Sequence, residues 1–98
     1  MSAYLVLMAK INDPETYTKY TAQTPRLVKK YGGRFLVRGG DVETIEGEPF
    51  NDRLVVLEFP SRKAIHDLFS DPEYQTIAEY RKASSEARIF AIDGYSDT

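Results

Sequence analysis

Apolar residues along the chain fall into four short runs, each bounded by turn residues or by a segment with helical spacing. The runs cover residues 3–11, 34–38, 53–59 and 87–93. They are too short for free helices and rich in strand-forming residues, so each predicts a β-strand. Gly39-Gly40 follows the second run and predicts a bulge or tight bend, with residues 41–46 as a candidate continuation of that strand.

Two segments between these runs carry helix-start signals. Asp13-Pro14-Glu15 supplies an N-cap, a proline suited to the first helical position and an acid in the first turn. This helix is expected to end at Gly32-Gly33, and Pro25 inside it predicts a kink or a break into two helices. After the third strand, Ser61 is predicted to cap a short helix, and Asp71-Pro72-Glu73 starts another.

The resulting element order, β-α-β-β-α-β, is that of an α+β fold of the ferredoxin-like type. Two right-handed crossovers in this order give a four-stranded antiparallel sheet with the helices on one face. We therefore expect one domain over residues 1–95, with residues 96–98 as a tail.

The predicted strands are apolar on both faces. Tyr4, Val6 and Met8 alternate with Leu5, Leu7 and Ala9 in the first strand, and the third and fourth strands repeat the pattern. Helices cover only one face, which leaves roughly 400–600 Å² of contiguous apolar surface on the other. We predict that a second copy stacks on this face to form a homodimer; the alternative is a twisted monomer with a partly shielded face.

Composition excludes several classes of function. The 98 residues carry a net charge of −2, which gives no electrostatic footprint for nucleic acid or anionic lipid. There are no cysteines, so disulfides, thiolate nucleophiles and cysteine-bound metals are excluded. The longest apolar stretch is about seven residues, too short to span a membrane. The first residues are predicted to form a strand and not a signal peptide, so we expect a cytoplasmic protein.

Two ionisable residues interrupt the strands. Arg38 is in phase with Leu36, and Glu58 is in phase with Val56 on the neighbouring strand, so the two are expected to face one another. A buried charge needs a partner, which leaves two interpretations: an ion pair at the sheet edge, or an arginine that anchors a ligand with a carboxylate that orients it.

Other polar candidates are fewer. His66 is predicted to lie on the solvent side of its helix, and a lone histidine makes a transition-metal site improbable, so no metal or cofactor is expected. Most of the seven tyrosines fall on apolar helix stripes, where core packing is the default, although one or two are candidates for a pocket mouth. Tyr74 and Arg81 share one side of the last helix and, with Arg38 and Glu58, complete the candidate ligand-binding residues.

Three blocks of sequence resemble the bacterial domain-of-unknown-function family 1330. They are residues 31–40 (YGGRFLVRGG), residues 53–61 (RLVVLEFPS), and residues 72–75 (PEYQ) with Arg81. The resemblance implies a ferredoxin-like fold of the dimeric α/β-barrel superfamily, which includes cofactor-free monooxygenases and ligand-sensing modules. Relatives tend to carry a Trp-Tyr pair and a Ser-Pro-Glu-Tyr motif where this chain has Leu68-Phe69 and Asp71-Pro72-Glu73-Tyr74.

The family has no activity to transfer, so three functional hypotheses remain. The first is a homodimer that binds a small anionic or carbonyl-bearing molecule between sheet and helices, with Arg38 as anchor. The second is a cofactor-independent monooxygenase, isomerase or decarboxylase that uses Glu58 or a tyrosine for proton transfer. The third is a non-catalytic interaction module without a pocket.

Overall fold

The structure, a computed structural model, describes residues 2–96. Its strands are β1 (Ala3–Ile11), β2 (Arg34–Arg38), β3 (Arg53–Phe59) and β4 (Ser85–Asp93). Its helices are α1 (Pro14–Thr21), α2 (Thr24–Lys30), α3 (Arg62–Ser70) and α4 (Pro72–Ser84). The strands form one sheet in the order β2-β3-β1-β4, with every neighbouring pair antiparallel. The predicted ferredoxin-like architecture is confirmed; the predicted tail extends past the described residues, which end at position 96.

The predicted break at Pro25 is confirmed. Helix α1 ends at Thr21 and α2 begins at Thr24, with Pro25 in its first turn, where a missing backbone N–H costs nothing. Gly32 ends α2 with a positive φ of 78°, and the Gly33 N–H donates to the Val28 carbonyl at 2.9 Å. The following strand therefore starts directly beneath the helix layer.

Strand β2 is short and contains a β-bulge. Phe35 lies opposite Leu57 and Val37 lies opposite Val56, so Leu36 is an extra residue in the ladder. Because alternation is interrupted there, Arg38 lies opposite Val55 and points to the same face as Phe35.

The predicted continuation of this strand over residues 41–46 is wrong, because residues 40–52 contain no strand or helix. Gly39 makes a last hydrogen bond to the Leu54 carbonyl at 2.9 Å, and its φ of 69° turns the chain away from the sheet. The loop that follows contains five acidic residues and no lysine or arginine, a composition with low strand propensity. Ile45, near its tip, is 83% exposed.

The core lies between the sheet and the helices. Alternate strand residues face the helices and are buried: Ala3, Leu5, Leu7, Ala9, Val55, Leu57 and Phe59. The helices contribute their apolar stripes, chiefly Leu27, Val28, Ile65, Leu68 and Ile77. None of the helices within residues 2–96 combines the length and apolar character needed to cross a bilayer.

No element within residues 2–96 covers the opposite face of the sheet, and the molecule is a slab with extents of 41 × 39 × 16 Å. A row of apolar side chains crosses all four strands there, formed by Val37, Val56, Val6 and Phe90. Phe90 is 41% exposed and Ile92, beside it on β4, is 57% exposed. The predicted apolar character of both faces is confirmed.

The buried carboxylate of Asp71 links the end of α2 to the start of α4. Asp71 is the N-cap of α4, where it accepts a hydrogen bond from the Glu73 N–H at 2.7 Å. It also accepts from the Tyr31 hydroxyl at 2.6 Å and from Lys30 Nζ at 3.0 Å, both at the end of α2. These hydrogen bonds, that of Tyr31 above all, hold the pKa of Asp71 well below its ordinary value.

Replacing Asp71 with Asn should therefore lower stability and flatten its pH dependence. A depressed pKa in the folded state gives stability that is complete above the unfolded value near 3.9 and is lost as pH falls below it. We expect Asp71→Asn to lower Tm at pH 7 by about 4–8 °C, because the amide can still cap α4 but loses the charge-assisted hydrogen bonds from Tyr31 and Lys30. Circular-dichroism melts from pH 7 to 2 measure both effects.

Asp67→Asn is the matched control, because Asp67 forms only a solvent-exposed pair with Lys63 on α3. It should shift Tm by less than about 2 °C. A wild-type pH profile in Asp71→Asn would contradict the stabilising role of this carboxylate.

Candidate functional site

A small cavity lies between the sheet and the helices and has a volume of about 40 Å³. Its floor is formed by side chains of all four strands, and all four helices contribute to its roof. Most of the lining is apolar, with Leu5, Leu57, Leu68, Phe69 and Ile89 among the residues. An apolar cavity with a few polar groups is the usual form of a small-molecule site.

Two tyrosine hydroxyls meet inside this lining. The Tyr20 and Tyr74 oxygens are 2.7 Å apart and buried, which joins α1 to α4. Burial, and then the neighbouring Tyr74, raise the pKa of Tyr20 far above its ordinary value. Burial also raises the pKa of Tyr17, against the smaller opposing effect of the Arg53 charge. The Tyr17 and Tyr20 hydroxyls therefore stay protonated and can donate hydrogen bonds, but they are poor bases.

Two arginines line the same cavity from the sheet side. The Arg38 guanidinium donates to the Thr21 carbonyl at 2.7 Å and stacks 4.5 Å from the Phe35 ring. The Arg53 guanidinium lies 5.7 Å from the Tyr17 ring, and its Nε is buried without a hydrogen-bond partner. Neither arginine has a carboxylate within ion-pair distance among residues 2–96. The cavity thus carries positive charge that the described part of the chain does not neutralise.

The expectation that Arg38 and Glu58 face one another is wrong. The bulge at Leu36 turns Arg38 to the helix side of the sheet, whereas Glu58 lies on the open side. Glu58 pairs instead with Arg34, directly opposite, at 2.7 Å, and accepts from the Tyr4 hydroxyl at 3.3 Å. The Arg34 hydrogen bond is the main reason that the pKa of Glu58 lies below its ordinary value. An ion pair does form at this edge, but with a different arginine.

The other two candidate residues are close to the cavity. Tyr74 lines it, whereas Arg81 lies behind Tyr20, with its guanidinium 5.5 Å from that ring and its Nε buried without a partner. Arg81 lines a separate open groove along α4. Arg38 and Tyr74 are therefore brought together at one cavity, and Arg81 and Glu58 are not.

Arg53 and Tyr17 line the cavity, although neither is among the four candidate ligand-binding residues predicted from the sequence. Arg53 is in phase with Val55 and Leu57, so strand alternation places it on the helix side. Tyr17 lies on an apolar helix stripe, where core packing is the default and a pocket mouth is the alternative. His66 is exposed, as predicted, and residues 2–96 contain no group of three side chains suited to a metal ion.

One protein-family model matches nearly the whole chain. A model of the domain-of-unknown-function family DUF1330 matches residues 2–95. The chain belongs to this family. The match confirms the resemblance seen in the sequence blocks, while no curated protein shows a significant sequence match.

Solved structures extend the likeness of fold. This DUF1330 chain is similar to RPA0582, a protein of unknown function from Rhodopseudomonas palustris, with a TM-score of 0.81, 17% identity, and 97% of this chain and 83% of that chain covered. It is also similar to SnoaB, a cofactor-independent oxygenase from Streptomyces nogalater, with a TM-score of 0.70, 14% identity and 97% and 94% coverage. For At3g17210 from Arabidopsis thaliana the TM-score is 0.71 at 16% identity, with 98% of each chain covered. At these identities the likeness establishes the fold alone.

Proposed function

We propose that residues 1–95 form a homodimeric domain that binds a small organic molecule in the cavity between sheet and helices. The observation that carries the proposal is the Arg53 side chain, which lines an apolar cavity and has no carboxylate partner among residues 2–96. A ligand that accepts a hydrogen bond from this charged group inside the cavity gains affinity. A pure interaction module has no need of such a cavity.

The polar groups suit an anionic or carbonyl-bearing ligand. Arg38 and Arg53 approach from the sheet, and Thr24 and the Tyr20–Tyr74 pair approach from the helices. A ligand with one polar end and an apolar body would place its body among the leucines and its polar end beside the arginines. Glu58 takes no part, because it lies on the other side of the sheet.

The proposed partner on the open sheet face is a second copy of the chain. Four strands about 4.8 Å apart and about seven residues long give a flat area of roughly 450 Å². Accessible surface exceeds flat area, so pairing two such faces approaches the roughly 800 Å² per partner of stable dimers. The row through Val6 is apolar, and Arg34, Glu58 and Arg88 lie beyond it, as in interfaces with an apolar centre and a polar rim.

We expect neither a nucleic-acid nor a membrane partner, and we expect a cytoplasmic location. A net charge of −2 gives no reason to expect nucleic acid or membrane binding. The cytoplasm remains the proposed compartment, and cell fractionation tests it.

A cofactor-independent enzyme is the second candidate, favoured by the hydroxyl pair in the cavity wall. Tyr20 and Tyr74 share a hydrogen bond in a buried site, where a phenol can donate a proton to a developing oxyanion. The fold of SnoaB shows that this architecture accommodates oxygenase chemistry in another protein. The lowered pKa and the ion pair of Glu58 make it unsuitable as the proton donor.

Filling the cavity should abolish ligand binding. Val28 lines the cavity from α2, and Val28→Phe puts a ring into the space. A thermal-shift screen against small carboxylic acids and ketones should find ligands that raise the Tm of wild-type protein by about 2 °C or more, and Val28→Phe should lose the shift. Ile45→Phe, which enlarges an exposed loop residue, is the control and should keep it. Retained shifts in a folded Val28→Phe would place the ligand elsewhere.

A charge at the centre of the open face should separate the dimer. Val6 is the middle residue of the apolar row, and burying an unpaired lysine there costs several kcal/mol. We expect sedimentation at about 10 µM to give a dimer for the wild type and a folded monomer for Val6→Lys. Ile45→Lys should remain dimeric, and a monomeric wild type would refute the homodimer.

If the protein is an enzyme, Tyr74→Phe should slow it by about 10²–10⁴-fold, the usual effect of losing a general acid. Glu58→Gln should leave the rate unchanged. The measurement is product formation by metal-free protein, followed by mass spectrometry, from ligands found in the screen. Undiminished turnover in Tyr74→Phe would exclude proton transfer by this hydroxyl.

A further inference from the structure

Resting on the proposed binding role, we infer that the cavity selects a short-chain carboxylate, and that Arg53 is its principal anchor. Arg53 thus takes the anchoring role that the sequence pattern predicts for Arg38. The proposed ligand is also narrowed from any anionic or carbonyl-bearing molecule to one chemical class. The inference follows from how each guanidinium is held, from the charges that face the cavity, and from the size of the space.

The Arg53 guanidinium is held in place by its surroundings. One neighbour is the Tyr17 ring, whose centroid is 5.7 Å from the guanidinium carbon. Another is the backbone at Gly39, where an added Cβ would come within 2.5 Å of Arg53 Nη1. A guanidinium confined in this way loses little conformational entropy when it binds a ligand.

The Arg53 guanidinium is the charged donor in the cavity lining. Its Nε is buried and has no acceptor among residues 2–96. Carboxylate is the acceptor that best satisfies a guanidinium, because two oxygens can accept from two parallel N–H groups. An amide or ketone offers one oxygen to both N–H groups, which gives poorer geometry than two parallel hydrogen bonds, and it brings no charge.

Arg38 is less available. One of its terminal nitrogens already donates to the Thr21 carbonyl at 2.7 Å, with Thr24 Oγ1 at 3.5 Å, and the residue is exposed at the sheet edge. It therefore adds positive charge to the site but holds the ligand less directly. Its screening by solvent further reduces its contribution.

No negative charge in the lining opposes an anion. The residues that line the cavity include Arg38 and Arg53 but no Asp, Glu or Lys. The loop after Gly39 is acidic, yet none of its carboxylates forms an ion pair with either arginine in the described part of the chain. The local charge thus favours anions and disfavours amines.

The volume limits the apolar part of the ligand. A cavity of about 40 Å³ leaves room only for a short apolar chain. The walls around this space are apolar, with Leu5, Leu57 and Leu68 among them. Butyrate, with three carbons beyond its carboxylate, is the matching probe, and inorganic phosphate lacks the apolar part.

The decisive experiment compares an acid with its neutral isostere on the wild-type protein. Amide chemical shifts of ¹⁵N-labelled protein are followed during titration with butyrate, butyramide or inorganic phosphate, each to about 50 mM. We expect butyrate to shift cavity residues and to bind about tenfold or more tightly than butyramide. Phosphate should leave cavity residues unshifted.

Three arginine variants test which residue anchors the carboxylate. Arg53→Met should bring the affinities for butyrate and butyramide within about threefold of each other, whereas Arg38→Met should keep most of the difference. Arg62→Met is the matched control, because Arg62 pairs with Asp93 on the surface and does not line the cavity. Thermal melts establish that each variant is folded; if Arg53→Met does not fold, the acid–amide comparison on wild type still decides the ligand class.

The possible failures can be told apart. Equal affinity of wild type for butyrate and butyramide would overturn the carboxylate assignment and leave the binding role intact. Stronger binding of phosphate than of butyrate would do the same and point to an oxyanion site without an apolar part. Failure of every probe, together with failure of the thermal-shift screen, would overturn both proposals.

Discussion

The strand order β2-β3-β1-β4 contains two strand–helix–strand crossovers, and the right-handed preference of such crossovers is the constraint that places every helix on one side of the sheet. As a result, helices cover one apolar face of the sheet and leave the other without cover. One is buried under α1 to α4 and forms the core, and the other presents the row through Val6 without a covering layer. The core face also contains the cavity, so the two faces support separate proposals: a ligand on one side and a second copy of the chain on the other.

Most of the architecture could be predicted from the sequence because it depends on local signals. Short apolar runs bounded by turn residues identified the strands, Asp-Pro-Glu identified two helix starts, and Pro25 marked the break between α1 and α2. These features depend on backbone geometry within a few residues, which residue type reports directly. The unequal cover of the sheet then followed from topology.

The site was harder to predict because it depends on a defect in periodicity. Arg38 and Glu58 were expected to face one another on the assumption that β2 alternates without interruption, and one extra residue at Leu36 separates them across the sheet. No residue in the segment RFLVR indicates a bulge, since Leu, Val and Phe all suit a regular strand. Tyr74 was placed correctly because helical spacing continues through α4 without such a defect.

Gly39 has a consequence for how members of the family can be compared. Its backbone lies against the Arg53 guanidinium, and any side chain there would displace that group. The position of the proposed anchor therefore depends on two residues fourteen positions apart, Arg53 itself and the glycine that leaves room for its guanidinium. A glycine and an arginine at these positions together form a criterion for sorting relatives by ligand class, which overall identity within so divergent a fold does not provide.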